Sequence, residues 1–569
     1  MNKPWLALLA DALPAAVRST IRSTVRSTLL VAVVATLVAC GKKEPPPPPP
    51  KPAAEVPEFA VIATSDLRDV QPLEEMVFKA TGVKLKFRFG GTMESTEAVL
   101  SGEANAAAAW FANAKYLLSS PQGQGRVKLQ EKIMLSPIVV GVSESDARKY
   151  GWTKPDLKMT WKDIADASKA GKLNYAISNP ATSNQGFMAL MGVVAAAGGK
   201  SEALSAADVN RGAIADFLKG YKIPGDNSTY LAEQFALYQG TKVNAFINYE
   251  SWILSLNAGG KLREKLHPIY PYEGVSTADY PFMLLEEGRR ADYLKVAEYL
   301  KGEAAQTWLA RQTLRRPIKP EVAAKVEDLL PRTGLQVELP FSPDRALADG
   351  LIAAYLNEFR LPIASTFVLD TSGSMQGERR KQLVQAIHYI AGVDNSLTGR
   401  IAKLTNRERV WLQPFNSTPY GLRRFEVPAS AAVAQGVAEQ ADSDAKQRVL
   451  ADVRGFAEGL QMTGGTALYD AVYVSLQNML RERQRNPGYQ YSVVAFTDGE
   501  NTAGRKLEDF KRDYAALPED VRGIPVFWVL FGEANEAALK DLAKLTGGQV
   551  FDARKRSLYS VFKDIRAYQ

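Results

Sequence analysis

Apolar positions along residues 58–340 follow two rhythms. Phe59-Ala60-Val61-Ile62-Ala63 is a short unbroken apolar run and predicts a strand. Residues 72–80 carry helical spacing, and Val83-Lys84-Leu85-Lys86-Phe87-Arg88-Phe89 alternates with a period of two, predicting a strand with one buried face. Strand, helix and strand in succession predict a largely parallel sheet covered by helices. The rhythm returns in Phe367-Val368-Leu369, a helix-like stretch at 381–392, Val493-Val494-Ala495-Phe496 and Val526-Phe527-Trp528-Val529-Leu530-Phe531. Between the blocks, Leu347, Leu351, Ile352, Tyr355 and Leu356 predict a helix, either a connection spanning 343–362 or the last helix of the first block.

The N-terminal pattern is different. Arg18, Arg22 and Arg26 precede the apolar run 29–39, and Cys40, the single cysteine, follows at once. A basic region before a short apolar core predicts an export signal over 1–39. Leu37-Val38-Ala39-Cys40 resembles a bacterial lipobox, which implies a lipid on Cys40. With no aspartate after that cysteine, the resemblance implies anchoring at the outer membrane, facing the periplasm. Six consecutive prolines at 45–50 predict an extended spacer over 40–57. Net charge is +8; Lys3, Arg18, Arg22 and Arg26 against Asp11 give +3 in the leader, leaving +5 on the mature chain. No dense basic cluster marks a nucleic-acid footprint. One cysteine and two distant histidines, His267 and His388, argue against disulfides, a zinc cluster or a histidine-based triad.

The richest chemistry lies in the second block. Asp370-Thr371-Ser372-Gly373-Ser374 follows a predicted strand and precedes a predicted helix, so it belongs at the carboxyl edge of an open sheet, where such folds place ligands. Gly464-Gly465-Thr466 and Thr497-Asp498-Gly499 are its distant companions. Two carboxylates and three hydroxyls make an all-oxygen set suited to a hard divalent cation, Mg²⁺ first, Mn²⁺ or Ca²⁺ otherwise. With these residues, 363–569 resembles a von Willebrand factor A domain with an intact metal-ion-dependent adhesion site. The resemblance implies that Asp370, Ser372, Ser374, Thr466 and Asp498 hold the metal, and that an acidic side chain of an envelope protein completes its coordination. Gly373, Gly464 and Gly465 suit the tight backbone path.

The first block, 58–342, resembles a bacterial extracellular solute-binding protein of the two-lobed type II periplasmic class. The resemblance rests on Ala63-Thr64-Ser65-Asp66-Leu67, Phe89-Gly90-Gly91-Thr92, Ser136-Pro137-Ile138-Val139-Val140-Gly141-Val142, Asn179-Pro180-Ala181-Thr182-Ser183-Asn184-Gln185-Gly186 and Asn248-Tyr249-Glu250-Ser251-Trp252. It implies lobe crossings near 133–142 and 267–272. Thr64, Ser65, Thr92, Ser95, Thr182 and Ser183 sit where helices begin, so they either face a small solute or serve as ordinary N-caps. Tyr249 and Glu250 would close the site. Facing helix N-termini can hold an anion across a cleft, whereas Glu94, Glu103 and Glu250 near these loops could disfavour an anion or suit a cationic or polar solute.

The expected protein is therefore α/β throughout, a two-lobed binding module followed by a Rossmann-like adhesion module, and not an enzyme. The expected function is metal-dependent protein binding in the cell envelope, coupled to the solute module, with a lipid on Cys40 holding it to the membrane. The alternative is the substrate-binding component of an ABC-type transport system, with the C-terminal domain as scaffold.

Overall fold

Three sheets organise the chain. The computed structural model describes residues 56–199, 204–225, 228–331, 337–342, 344–429, 442–498, 500–530, 532, 535–554 and 558–569. The export signal, Cys40 and the proline run lie outside these residues, as does Gly499. Among the described residues no helix is long and apolar enough to cross a membrane.

The first sheet has the order Lys84–Gly90, Glu58–Thr64, Ala108–Trp110, Pro281–Leu284, Leu129–Lys132. Its first three strands are parallel, while Pro281–Leu284 runs antiparallel to both neighbours. The predicted strand 59–63 lies inside Glu58–Thr64, and the predicted helix 72–80 is Leu73–Thr81. The second sheet is built around the long strand Met134–Ser143, which pairs with Thr277–Ala278, Arg316–Pro317, Ala245–Tyr249 and Leu266–Ile269. The chain thus leaves the first sheet at 133–143 and returns at 270–280, later than the expected 267–272 because Leu266–Ile269 still pairs in the second sheet; it reaches the second sheet once more at Arg316–Pro317.

The helix Arg345–Ala354 does not hang between modules. Leu347, Leu351, Ile352 and the following Tyr355 are buried in the same core as both lobes. The apolar spacing read from the sequence is therefore the face that closes the two-lobed module.

The third sheet has the order Arg423–Glu426, Arg409–Phe415, Ile363–Asp370, Gln490–Thr497, Val526–Leu530, Val550–Asp552. All neighbours are parallel except the first pair. The central strands are buried along their whole length, which explains their continuous apolar runs. One face packs Phe367, Phe496 and Phe562 as a ring stack; the other buries Val368, Ala495 and Trp528 under Leu468–Arg485. Helix Leu558–Tyr568 is locked by Arg566, whose guanidinium donates to both carboxylate oxygens of Glu408 at 2.5 and 2.7 Å in a buried pair. Gln569 donates to Ser365 and Ser492, near the amino ends of the two central strands.

Candidate functional site

Asp370 is the last residue of its strand and Asp498 directly follows Gln490–Thr497, so parallel pairing delivers both carboxylates to one rim. The Ser372 amide donates to Asp370 Oδ1 at 2.9 Å, and Thr497 Oγ1 donates to Oδ2 at 3.2 Å. Ser372 Oγ lies 3.1 Å from Ser374 Oγ, which donates to Asp498 Oδ1 at 2.9 Å. Four of the five expected residues are therefore joined by consecutive hydrogen bonds, the first through the Ser372 backbone amide and the next two through hydroxyls. Thr466 sits beside it on a loop tied by the Gly373 amide to Gly464 O (3.0 Å) and by the Thr466 amide to Thr502 Oγ1 (2.9 Å). Gly464 needs its φ of +79°, and a Cβ on Gly532 would meet the Asp498 carbonyl oxygen at 2.3 Å. These two glycines let the loops close around the rim.

The electrostatics suit a cation. Asp370 is fully buried, and burial lifts its carboxyl to about 6. Its hydrogen bonds with Ser372 pull the other way, and the charge of Asp498 adds to the lift. Two buried carboxylates this close favour a positive charge between them, and the remaining donors are hydroxyls, so the set is hard and all-oxygen. Among the described residues no group of three or more His, Cys, Asp or Glu side chains is placed to hold a metal. A cation here would depend on the serines and threonine as much as on the aspartates.

Sequence reasoning missed Arg379. It lies in the first turn of helix Glu378–His388 and ion-pairs with Asp498 Oδ2. The signal was present: a basic residue in a first helical turn opposes the helix dipole and asks for a local reason. Thr371 was also overlooked; its hydroxyl bonds to Phe415 O and Tyr420 OH and braces the loop from beneath.

The solute candidates divide. Ser65 and Ser95 line a cleft of about 750 Å³ between the lobes, together with Asp66, Arg88 and Trp252. Thr64 and Ser183 occupy N-cap positions without capping through their side chains. The hydroxyls of Thr64, Ser95 and Thr182 are buried and find no hydrogen-bond partner among the described residues. Thr92 Oγ1 accepts the Asn184 amide at 3.4 Å, linking the lobes, and Tyr249 OH accepts from Asn184 Nδ2 at 2.8 Å. Glu250 corrects the expectation. Its carboxylate is fully buried in a two-point pair with Arg316 (2.6 and 2.7 Å) and also accepts from Tyr270, so it braces the second sheet and does not face the cleft.

The type of contact between modules bears on both sites. Helix Leu558–Tyr568 lies across the cleft mouth, with Asp564 and Tyr568 among the cleft residues. On the first lobe, Thr398 Oγ1 donates to Glu97 and Lys563 faces Glu94 at 3.4 Å. On the second, Asn179 Nδ2 donates to Ala567 O at 3.1 Å, and the Tyr230 and Tyr568 rings meet edge to face at 4.8 Å. These contacts cluster near the amino edge of the third sheet. Asp370 lies five residues along its strand from Ser365, about 16 Å away, so the carboxylate rim faces away from the lobes.

Residues 72–315 match the family described as bacterial extracellular solute-binding protein, and residues 366–564 match the von Willebrand factor type A domain. No curated protein matches the sequence. Among solved structures, the chain is similar to the sulfate-binding protein SubI from Mycobacterium tuberculosis H37Rv at 16% identity, covering 48% of this chain and 92% of that one, with a TM-score of 0.36. It is also similar to the periplasmic binding protein AfuA from Actinobacillus pleuropneumoniae (14% identity, 53% and 98% covered, TM-score 0.39) and to a ferric binding protein from Campylobacter jejuni (14%, 52% and 97%, 0.38).

Proposed function

Because the chain fuses a bacterial extracellular solute-binding domain to a von Willebrand factor type A domain, two families that are typically non-enzymatic, we propose that it is an envelope binding protein. In this reading it captures a protein partner through a divalent cation. Asp370, Ser372, Ser374, Thr466 and Asp498 would hold Mg²⁺, and the bound ion would supply an electrophilic position for a partner's carboxylate. The observation that carries the reading is the hydrogen-bonded run Asp370–Ser372–Ser374–Asp498, linked by the Ser372 amide and two serine hydroxyls, on a rim turned away from the two-lobed module. Arg379 holds Asp498 and would have to yield as the cation enters. Lipid on Cys40 and the proline spacer would place the pair of modules at the outer membrane, facing the periplasm.

The type A domain touches both lobes, so its docking depends on the angle between them. A solute that changes that angle would change docking, and the reverse holds by linkage. A second reading, the substrate-binding component of an ABC-type transporter with the type A domain as scaffold, draws support from the buried, unpartnered Ser95 hydroxyl at the cleft wall.

The deciding experiment is capture from envelope extract by the full chain, with Mg²⁺ and with chelator, beside Asp498→Ala. Partner capture that needs Mg²⁺ and disappears in Asp498→Ala supports adhesion. Capture indifferent to both overturns it.

A further inference from the structure

A second cavity, of about 230 Å³, opens between the second lobe and the type A domain, away from the rim and with Tyr568 standing between it and the interlobe cleft. Lys222, Tyr238 and Lys242 reach it from the lobe; Arg483, Tyr489 and Tyr568 reach it from the other module. Three cations line it, and no Asp or Glu does. None of the three makes an ion pair among the described residues. The Lys222 ammonium donates to Lys219 O (2.6 Å) and Arg483 Nη1 to Asp520 O (2.8 Å), both backbone carbonyls, while Lys242 stands over the Tyr238 ring at 5.5 Å. Glu482, beside Arg483 in sequence, turns to Arg409 at 2.6 Å. Desolvation, with the like charges of Arg483 and Lys222, holds the Lys242 ammonium below its usual range.

Elsewhere the modules meet through complementary groups, as at Lys563 and Glu94. Here docking drives like charges together, which costs free energy unless an anion arrives. The space exceeds that of one water, about 30 Å³, and tyrosines wall it.

We propose that this cavity binds a small multivalent oxyanion of the phosphate class, which bridges Lys222 and Lys242 of the lobe to Arg483 of the type A domain. The anion then acts as a clamp: it binds the docked arrangement tightly and the separated one weakly, so its concentration sets how firmly the modules hold each other. The proposal stands independently of the metal site.

The test uses the full chain in Mg²⁺-free, chelator-containing buffer, which takes the rim out of play. Thermal unfolding is followed with low-millimolar inorganic phosphate against chloride at matched ionic strength. The expected result is a rise of several degrees with phosphate for the native chain and for Lys242→Arg. Lys242→Gln with Arg483→Gln should lose that rise, while its unfolding temperature without phosphate stays at or above the native one. Vesicles of phosphatidylglycerol form a parallel arm. No phosphate response, a response matched by chloride, or a response kept by the double variant overturns the proposal. A response to vesicles alone would assign the cavity to a lipid headgroup and overturn the free-anion form.

Discussion

The rim of the third sheet and the cleft between the lobes are both polar, yet they satisfy their polar atoms in opposite ways. At the rim, Ser372, Ser374 and Thr497 spend their hydroxyls on one another and on the two aspartates. At the cleft wall, the hydroxyl of Ser95 is buried and unpartnered among the described residues. A buried polar group left without a hydrogen bond costs about 1–3 kcal/mol. The rim is therefore arranged by the protein itself, with Arg379 offsetting part of its negative charge, whereas the cleft is held in a state that a ligand would relieve. One region is preorganised and the other is poised.

The most disruptive way to break this comparison is to remove what both regions share. Helix Leu558–Tyr568 belongs to the type A core and also walls the cleft, and the buried pair of Arg566 with Glu408 fixes it. Glu408→Ala leaves a buried guanidinium uncompensated and should cost about 3–5 kcal/mol. Denaturant unfolding would show this as a lower midpoint, and hydrogen exchange at 92–101 should rise with it because the helix no longer covers that wall. Protection unchanged at 92–101 would separate the two regions.

Asp370 comes next. Asp370→Ala should weaken Mg²⁺ binding by more than about 100-fold, since even outer-shell changes at metal sites cost 10–100-fold; titration calorimetry reads this directly. Asp370→Asn tests the same residue without metal. The buried carboxyl is lifted to about 6 from 3.8, so the folded state binds its proton more tightly than the unfolded state does. Above about pH 6 both states are ionised and the full burial penalty applies; below about 3.8 both are protonated and it vanishes. In chelator, Asp370→Asn should therefore be the more stable chain above about pH 6, by up to about 3 kcal/mol. The advantage should shrink as pH falls from about 6 toward 3.8. A pH-independent difference would mean that the rim does not strain its carboxylate.

These contrasts also explain what could be read from the sequence. Asp370-Thr371-Ser372-Gly373-Ser374 packs most of a site into five consecutive residues, and the central strands announce the rim by their unbroken apolar runs. The α/β rhythm was equally open, because it depends on local periodicity. What stayed hidden depends on pairs far apart in the chain. Glu250 looked like a cleft acid until Arg316, sixty-six residues later, claimed it. The cationic cavity needs Lys222 and Lys242 to meet Arg483 across two modules, which no local pattern encodes. The buried hydroxyls looked like N-caps, and only their unmade hydrogen bonds distinguish them.

The poised state of the cleft can be tested at a single atom. Ser95 is fully buried on helix Thr92–Ser101, at the cleft wall, with an unpartnered hydroxyl. Ser95→Ala removes that group and should stabilise the ligand-free chain by about 1 kcal/mol, seen as a small rise in denaturant midpoint. Destabilisation would mean that the hydroxyl already has a partner, and the contrast with the rim would weaken.

The smallest effect concerns the cation already paired with Asp498. Arg379 neutralises part of the charge on Asp498, so Mg²⁺ must displace it, and its side chain is about one-third exposed, which makes that displacement cheap. The guanidinium is partly solvated while the Asp498 carboxylate is buried, so the pair is worth on the order of 1 kcal/mol, the top of the exposed range, and the competition is roughly fivefold. Arg379→Ala should therefore tighten Mg²⁺ binding by a few-fold, measured in the same calorimetric titration as Asp370→Ala. The direction matters more than the size. Tighter binding means that Arg379 stands in for the metal at a preorganised site. Weaker binding means that the arginine builds the site, and the rim would then need its own side chains rearranged before it could accept a cation, much as the cleft awaits its ligand.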